Sequence, residues 1–485
     1  MKKILIIILF INLIALNGFS GGVKNEIKKI SGLKGIENAQ WSLSVKYADN
    51  GKDVVSLNEN QNLIPASILK IFTTAAALEY MGSGYRFKTK LYYRGQIKKG
   101  TLFGNMYIVG GGDPSLGSHR VMNALSFNKV FAKWAAGLKR AGIKRIKGNI
   151  YADDSLFNGI PTSSTWAWED IGNYYAAWPS ALSINDNIYK LYFKPAKKEG
   201  EIAKVLKTAP HIPGLKFTNF METGPKGSGD HGYIFNMPKN YRAVLRGTVP
   251  LGPEEFSIKG AIPDPALFCA QHLKKYLKGK GIEVKWNALK LSKRKKYLEK
   301  KLLAEIKSPP LKNIIFPTNK KSFNLYAELL LRHIAVINGR NGNLAAGLYT
   351  LKDFLSSNSI DVSEMKLKDA SGLSRLNTVK AKNFTNFLVG LYNKKYFNDF
   401  YDSLVSPGEK GATGHIKRFG LGTFLEKNIR IKSGSLNGVR AYSGYFRTKK
   451  NRLVAFTSII NNYSIKASEI DGLHQNLFLK IAEEY

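Results

Sequence analysis

A serine hydroxyl becomes a nucleophile only when a neighbouring base takes its proton, and Ser67-Ile68-Leu69-Lys70 sets such a pair three residues apart. On a helix the two side chains share a face and reach each other. A lysine acts as that base only as the neutral amine, so burial or a second cation must lower its pKa. Leu69, Phe72 and Ala75 to Ala77 supply apolar surroundings, and another lysine would supply the cation. The same spacing recurs at Ser31/Lys34, Ser126/Lys129, Ser292/Lys295 and Ser363/Lys366, so spacing alone does not select Ser67. Its position does. Pro65 precedes and Gly82 follows an alanine-rich run, which predicts a buried helix with Ser67 in its first turn. Free N–H groups and the helix dipole there favour developing negative charge.

Two further groupings have polar chemistry in a fixed order after Ser67. Ser322-Phe323-Asn324 opens a strongly apolar stretch to Val336; the Ser322 hydroxyl would relay a proton and the Asn324 amide would hold a peptide backbone. Ser-x-Asn also occurs at Ser56, Ser126, Ser183, Ser356 and Ser435, and capping of the helix by Ser322 is the alternative. Lys432-Ser433-Gly434 occurs once. On a strand, Lys432 and Gly434 share a side, and the glycine admits a peptide close to the backbone. An ordinary basic edge strand is the alternative reading.

The elements that must position these groups read as an α/β (α+β) chain. Residues Trp41 to Tyr47 and Val54 to Leu57, around Asp49-Asn50-Gly51, predict a β-hairpin. Arg430 to Leu436, Tyr442 to Thr448 and Arg452 to Ile460 are strand candidates, followed by a helix over about 464–484. An antiparallel sheet flanked by helices is the simplest arrangement. Between 89 and 296 the pattern changes to short strand-like pieces and turns, among them Gly110-Gly111-Gly112-Asp113-Pro114, with an irregular stretch at 187–257. These segments are expected to be inserted material, the second nested in the first. The lone cysteine, Cys269, excludes an internal disulfide and any multi-cysteine metal site.

Taken in order, the three groupings resemble the signature of the penicillin-recognising serine enzymes, Ser-x-x-Lys, Ser-x-Asn and Lys-Thr-Gly, with Ser433 in place of threonine. The gap from Ser67 to Ser322 is more than twice that from Ser322 to Lys432. A long insertion there resembles the D-alanyl-D-alanine carboxypeptidase/endopeptidase family, the class C low-molecular-mass penicillin-binding proteins. The segments Gly110 to Leu116, Ala152 to Ser155, Trp166 to Asp170, Ser180 to Leu182, Asp369 to Arg375 and Lys432 to Val439 are similar to that family as well. The resemblance implies a transpeptidase/β-lactamase-like domain at 21–88 and 297–485, an inserted domain at 89–186 and 258–296, and a nested one at 187–257.

It also implies acyl transfer without metal or organic cofactor. Ser67 would attack a D-alanyl carbonyl of a peptidoglycan stem peptide with Lys70 as base, and Ser322 would protonate the leaving amine beside Asn324. Lys432 and Ser433 would receive the terminal carboxylate, Gly434 would let the peptide lie close to the strand, and the backbone N–H groups of Ser67 and Ser435 would form the oxyanion hole. Asp170, Tyr175, Arg375 and Asn437 would line a pocket for the diamino-acid end of the stem. β-Lactams would acylate Ser67 and block it. A serine β-lactamase is a competing reading, although no Tyr-x-Asn stands in place of Ser322-Phe323-Asn324; a non-catalytic wall-binding scaffold is another. Lys2 and Lys3 before the apolar run Ile4 to Leu16 predict a signal peptide over residues 1–20, hence an exported protein of the periplasm or cell wall. The formal charge of +39 suits a uniformly basic, solvated surface or attraction to an anionic wall or membrane surface, whereas nucleic acid is not an expected partner of an exported chain.

Overall fold

The computed structural model describes residues 21–291, 300–409 and 415–485, with the backbone alone at His415. The predicted signal segment and the Ser292/Lys295 pair lie outside the described residues. Five antiparallel strands form a sheet in the order Ile429–Leu436, Val439–Arg447, Leu453–Asn461, Gln40–Tyr47 and Asp53–Leu57. The predicted hairpin thus supplies two strands, and its first strand lies against the last strand of the chain, Trp41 opposite Ile460.

Residues along Val439–Arg447 alternate between two cores. Ala441 and Tyr445 face one, with the helices Lys70–Met81, Asn324–Ile337 and Ala381–Leu391. Tyr442 and Phe446 face the other, with Gly21–Ser31 and Ala467–Glu484. A sheet covered on both faces needs apolar residues at consecutive positions, which is how Leu453–Asn461 reads. Lys70–Met81 is buried over most of its circumference, matching its alanine-rich composition.

A third hydrophobic core belongs to the region between residues 88 and 307. There Lys88–Lys98 and Thr101–Val109 pair antiparallel, and Arg145–Lys147 and Ile150–Asp153 add in parallel beside Thr101–Val109. Ile188–Lys194, Lys204–Ala209 and Phe256–Ala261 make one three-stranded sheet; Lys216–Gly224, His231–Phe235 and Arg242–Pro250 make another. One strand departs from the expected boundary at 297. Lys301–Lys307 pairs with Lys88–Lys98 in the second region's sheet, because its inward Leu303, Ala304 and Ile306 complete that core. Cys269 is fully buried in the helix Pro265–Gly279, whose start is capped by Asp264 accepting from Leu267 N–H. Among the described residues no helix is long and apolar enough to cross a membrane.

Candidate active site

Ser67 does not sit in the first turn of an α-helix as its sequence predicts. It lies in a 3₁₀ turn, Ala66–Leu69, that feeds Lys70–Met81 without a break in direction. Ala66 holds φ of 45°, a left-handed value that costs free energy for a residue with a Cβ. Two glycines explain how the turn is held. A Cβ on Gly434 would stand 2.7 Å from Pro65 O and 2.8 Å from Ser67 N, and one on Gly372 would stand 1.9 Å from Ala66 O. The strand Ile429–Leu436 and the loop after Asp369 therefore both press directly on the backbone of the serine turn.

Lys70 Nζ lies 2.8 Å from Ser67 Oγ and donates to Ser371 O at 2.6 Å. Burial lowers its pKa from 10.5 to about 7, against the opposing charges of Asp369 and Glu328. Burial and a second cation were both expected to lower it, and burial is the cause that acts on Lys70. The second cation is nonetheless in place. Lys432 is 1% exposed, with Nζ 2.9 Å from Ser322 Oγ and donating to Ser433 O at 2.6 Å. Its pKa falls well below the usual lysine value through burial and then through the charge of Lys70.

Ser322 does not cap the helix that follows. Asn324–Ile337 begins after Phe323 with no side-chain cap, and Ser322, at φ of 53°, turns its hydroxyl to Lys432 instead. Asn324 Nδ2 donates to Tyr175 O at 2.8 Å, tying this helix to the segment that carries Asp170 and Tyr175. Ile431 exchanges two backbone hydrogen bonds with Val405 on the outer side of its strand. By period-two alternation, the backbone groups of Ser433 and Ser435 face that same edge, where an extended peptide can add as a further strand. The Ser435 hydroxyl accepts from Arg440, which is anchored by Asp471.

A family model for the D-Ala-D-Ala carboxypeptidase 3 (S13) family matches residues 23–476. The chain belongs to this family. It is a serine-type D-Ala-D-Ala carboxypeptidase that acts on peptidoglycan. The chain is 28% identical to the D-alanyl-D-alanine carboxypeptidase of Actinomadura sp. (strain R39), over 88% of this chain and 78% of that one. It is 26% identical to the D-alanyl-D-alanine carboxypeptidase DacB of Haemophilus influenzae, over 88% and 86% of the two chains. The crystal structure of penicillin binding protein 4 (dacB) from Haemophilus influenzae matches with a TM-score of 0.81 at 25% identity, covering 95% of this chain and 99% of that one. The same protein complexed with a novel β-lactam shares the fold, with a TM-score of 0.74 at 24% identity over the same shares of the two chains.

In this carboxypeptidase the four residues expected to line a side-chain pocket come together from three parts of the chain. Asp170 and Tyr175 are half-buried and hydrogen-bonded to each other. Burial raises the pKa of both, and at Asp170 the Tyr175 hydrogen bond and then the nearby Arg375 guanidinium partly offset this. The exposed Arg375 donates to Asn437 O at 3.0 Å.

Sequence reasoning assigned no role to Glu328, Arg332 or Asp369. A glutamate and an arginine four residues apart inside Leu325-Tyr326-Ala327-Glu328-Leu329-Leu330-Leu331-Arg332 were the available signal, since charges on an otherwise apolar helix have to be paired when buried. Glu328 and Arg332 do pair, at 3.1 Å. Asp369 accepts from Gly372 and Ser374 N–H and from Trp166 Nε1.

Proposed function

We propose that Ser67 is the acyl-accepting nucleophile of this enzyme and Lys70 its general base. The observation that carries this reading is the fully buried Lys70 amine, with a pKa of about 7, held 2.8 Å from Ser67 Oγ. The neutral amine takes the Ser67 proton while Oγ bonds to the carbonyl carbon of the penultimate D-alanine. The N–H groups of Ser67 and Ser435 stabilise the resulting oxyanion. The C–N bond then breaks, and a proton passes through Ser322 to the departing D-alanine amine. Water adds to the ester, its proton goes to Lys70, and Ser67 is released.

Lys432 and Ser433 receive the terminal carboxylate of the substrate. Two amines buried side by side disfavour each other's charge, and an arriving carboxylate restores the ammonium form of Lys432 next to it. Asn324 and the open edge of Ile429–Leu436 align the stem peptide, while Gly434, expected to admit that peptide, instead lets the strand pack on the serine turn. Asp170, Tyr175, Arg375 and Asn437 receive the diamino-acid end, where an ammonium meets Asp170 and a carboxylate meets Arg375.

The same machinery serves an endopeptidase cut after a D-alanine in a cross-link. β-Lactams act as covalent inhibitors, because their opened ring stays attached and keeps water from the ester. This catalytic domain, with one inserted and one nested domain, works outside the cytoplasm, where the strongly basic chain is attracted to anionic wall polymers. Labelling with a fluorescent penicillin, then product analysis on purified muropeptides, tests the reading. Wild type labels and releases D-alanine, and Ser67→Ala does neither. Labelling that survives the substitution rejects Ser67.

A further inference from the structure

The loop that faces Lys70 is held from behind by two buried carboxylates. Glu328, 1% exposed, lies one turn beyond Asn324 in the helix Asn324–Ile337. Its Oε1 accepts from the N–H groups of Ala370 at 2.9 Å and Ser371 at 3.1 Å, and its Oε2 accepts from Arg332 Nη1 at 3.1 Å. Asp369 closes the other end of the loop through Gly372 N–H at 2.9 Å and Ser374 N–H at 2.7 Å. The peptide between them presents Ser371 O to Lys70 Nζ at 2.6 Å. That carbonyl occupies an amine hydrogen, which fixes the direction in which the remaining valences of Nζ point, toward Ser67 Oγ at 2.8 Å.

A buried ion pair such as Glu328–Arg332 is by itself weak evidence of a stabilising role, since well-packed apolar residues often replace such pairs at little cost; what sets Glu328 apart is its hold on the two loop amides. We propose that Glu328 is a positioning residue for acyl transfer: through the Ala370 and Ser371 amides it aims the Ser371 carbonyl, and thereby the Lys70 amine, at Ser67. The proposal rests on Lys70 being the base.

The charge of Glu328 has a second, separable effect. The charged groups facing Lys70 are Glu328 from one helix, with Arg332 behind it, Asp369 from the loop, and Lys432 from the strand. Of these, the carboxylates hold Lys70 protonated to higher pH. Removing the Glu328 charge therefore extends the neutral amine to lower pH, whereas removing its hydrogen bonds releases the loop.

Glu328→Gln keeps an oxygen for the two amides and loses the charge; Glu328→Ala loses both. The measurement is the second-order rate of Ser67 acylation by a fluorescent penicillin as a function of pH, with melting temperature recorded for each variant. Glu328→Gln is expected to keep its high-pH plateau within about threefold while its acid limb moves to lower pH. Glu328→Ala is expected to lose about 10²-fold of the plateau, the scale of an ångström-sized misplacement of a catalytic group. If Glu328→Ala does not fold, Glu328→Ala combined with Arg332→Met, which releases the two amides but strands no buried charge, takes over with the same plateau loss expected. A folded Glu328→Ala whose plateau stays within about threefold of wild type overturns the proposal, wherever its acid limb lies. So does rate loss that follows the folded fraction alone. If Lys70→Arg acylates at the wild-type rate, the base assignment fails first and this inference with it; if Lys70→Arg is slow but the Glu328 variants behave as wild type, only this inference fails.

Discussion

Replacing Lys70 by arginine keeps a cation on a long side chain but removes the neutral amine, because a guanidinium stays protonated in proteins. The size of the expected loss follows from burial. An amine at its ordinary pKa of 10.5 would be neutral about 0.03% of the time at pH 7, whereas one at about 7 is neutral about half of the time. Desolvation thus raises the working fraction of base on the order of 10³-fold, within the 10²–10⁴-fold that a general base typically supplies. The assay is the second-order rate of acylation by a fluorescent penicillin between about pH 5 and pH 9. Below its pKa Lys70 is an ammonium and accepts nothing. The wild-type rate therefore climbs about tenfold per pH unit up to about 7 and then levels. Lys70→Arg should be slower by about 10³-fold at pH 7 and lack that limb. A Lys70→Arg rate within about threefold of wild type would refute the base assignment, as would a wild-type profile still climbing tenfold per unit at pH 9.

Gly434→Ala places a Cβ 2.8 Å from Ser67 N, where only backbone can give way. Acylation of the folded protein should fall by about 10²-fold, beyond a lowering of the melting temperature of the kind overpacking brings; an unchanged rate would mean that the strand does not set the serine turn. Asp170→Ala should impair turnover of a stem peptide with a free side-chain ammonium more than that of a truncated one, and equal losses on both remove Asp170 from the pocket. The buried His333 and His474 have their pKa values lowered by burial from 6.5 to about 4. A folded value below the unfolded one contributes stability above pH 6.5 that is lost as pH falls toward 4, on the order of 3 kcal/mol for each. Melting temperature should drop over that window, less so in His474→Gln, and a flat profile would contradict it.

The five-stranded sheet was legible because apolar and polar residues alternate from Trp41 to Tyr47, Leu453–Asn461 is largely apolar, and the hairpin carries its own turn, Asn50-Gly51. The order Ser67, Ser322, Lys432 was legible from motif spacing. What escaped the sequence was geometry set by backbone approach. Nothing local to Pro65-Ala66-Ser67 says that Ala66 is held at positive φ; that is imposed by Gly434 and Gly372, which are distant in the chain. The placement of Lys301–Lys307 escaped for a related reason: its partner is Lys88–Lys98, and no pattern in a seven-residue strand names its neighbour. Glu328 was passed over because its helix reads as plain core until the loop after Asp369 is folded against it.

That loop joins the two halves of the site. Trp166 Nε1 donates to Asp369 Oδ2 at 2.8 Å, Ser163 Oγ donates to Lys368 O at 2.9 Å, and Arg332 donates to Pro161 O at 2.7 Å. The segment from Pro161 to Tyr175, which carries Asp170, is therefore bonded to the same short loop that presents Ser371 O to Lys70. Asn324 adds a fourth tie through Tyr175 O. If Asp170 and Tyr175 receive the stem side chain as proposed, that side chain rests on the framework that holds Lys70, and strain introduced by a poorly fitting stem peptide has a short path to it. Binding energy from the non-reacting end of a substrate raises the chemical step only when it is expressed at the reacting centre. Here the connection is one buried and three part-buried hydrogen bonds. It predicts that removing the indole donor, as in Trp166→Phe, lowers kcat on a full stem peptide more than it raises KM; a change confined to KM would show that the pocket and the base act independently.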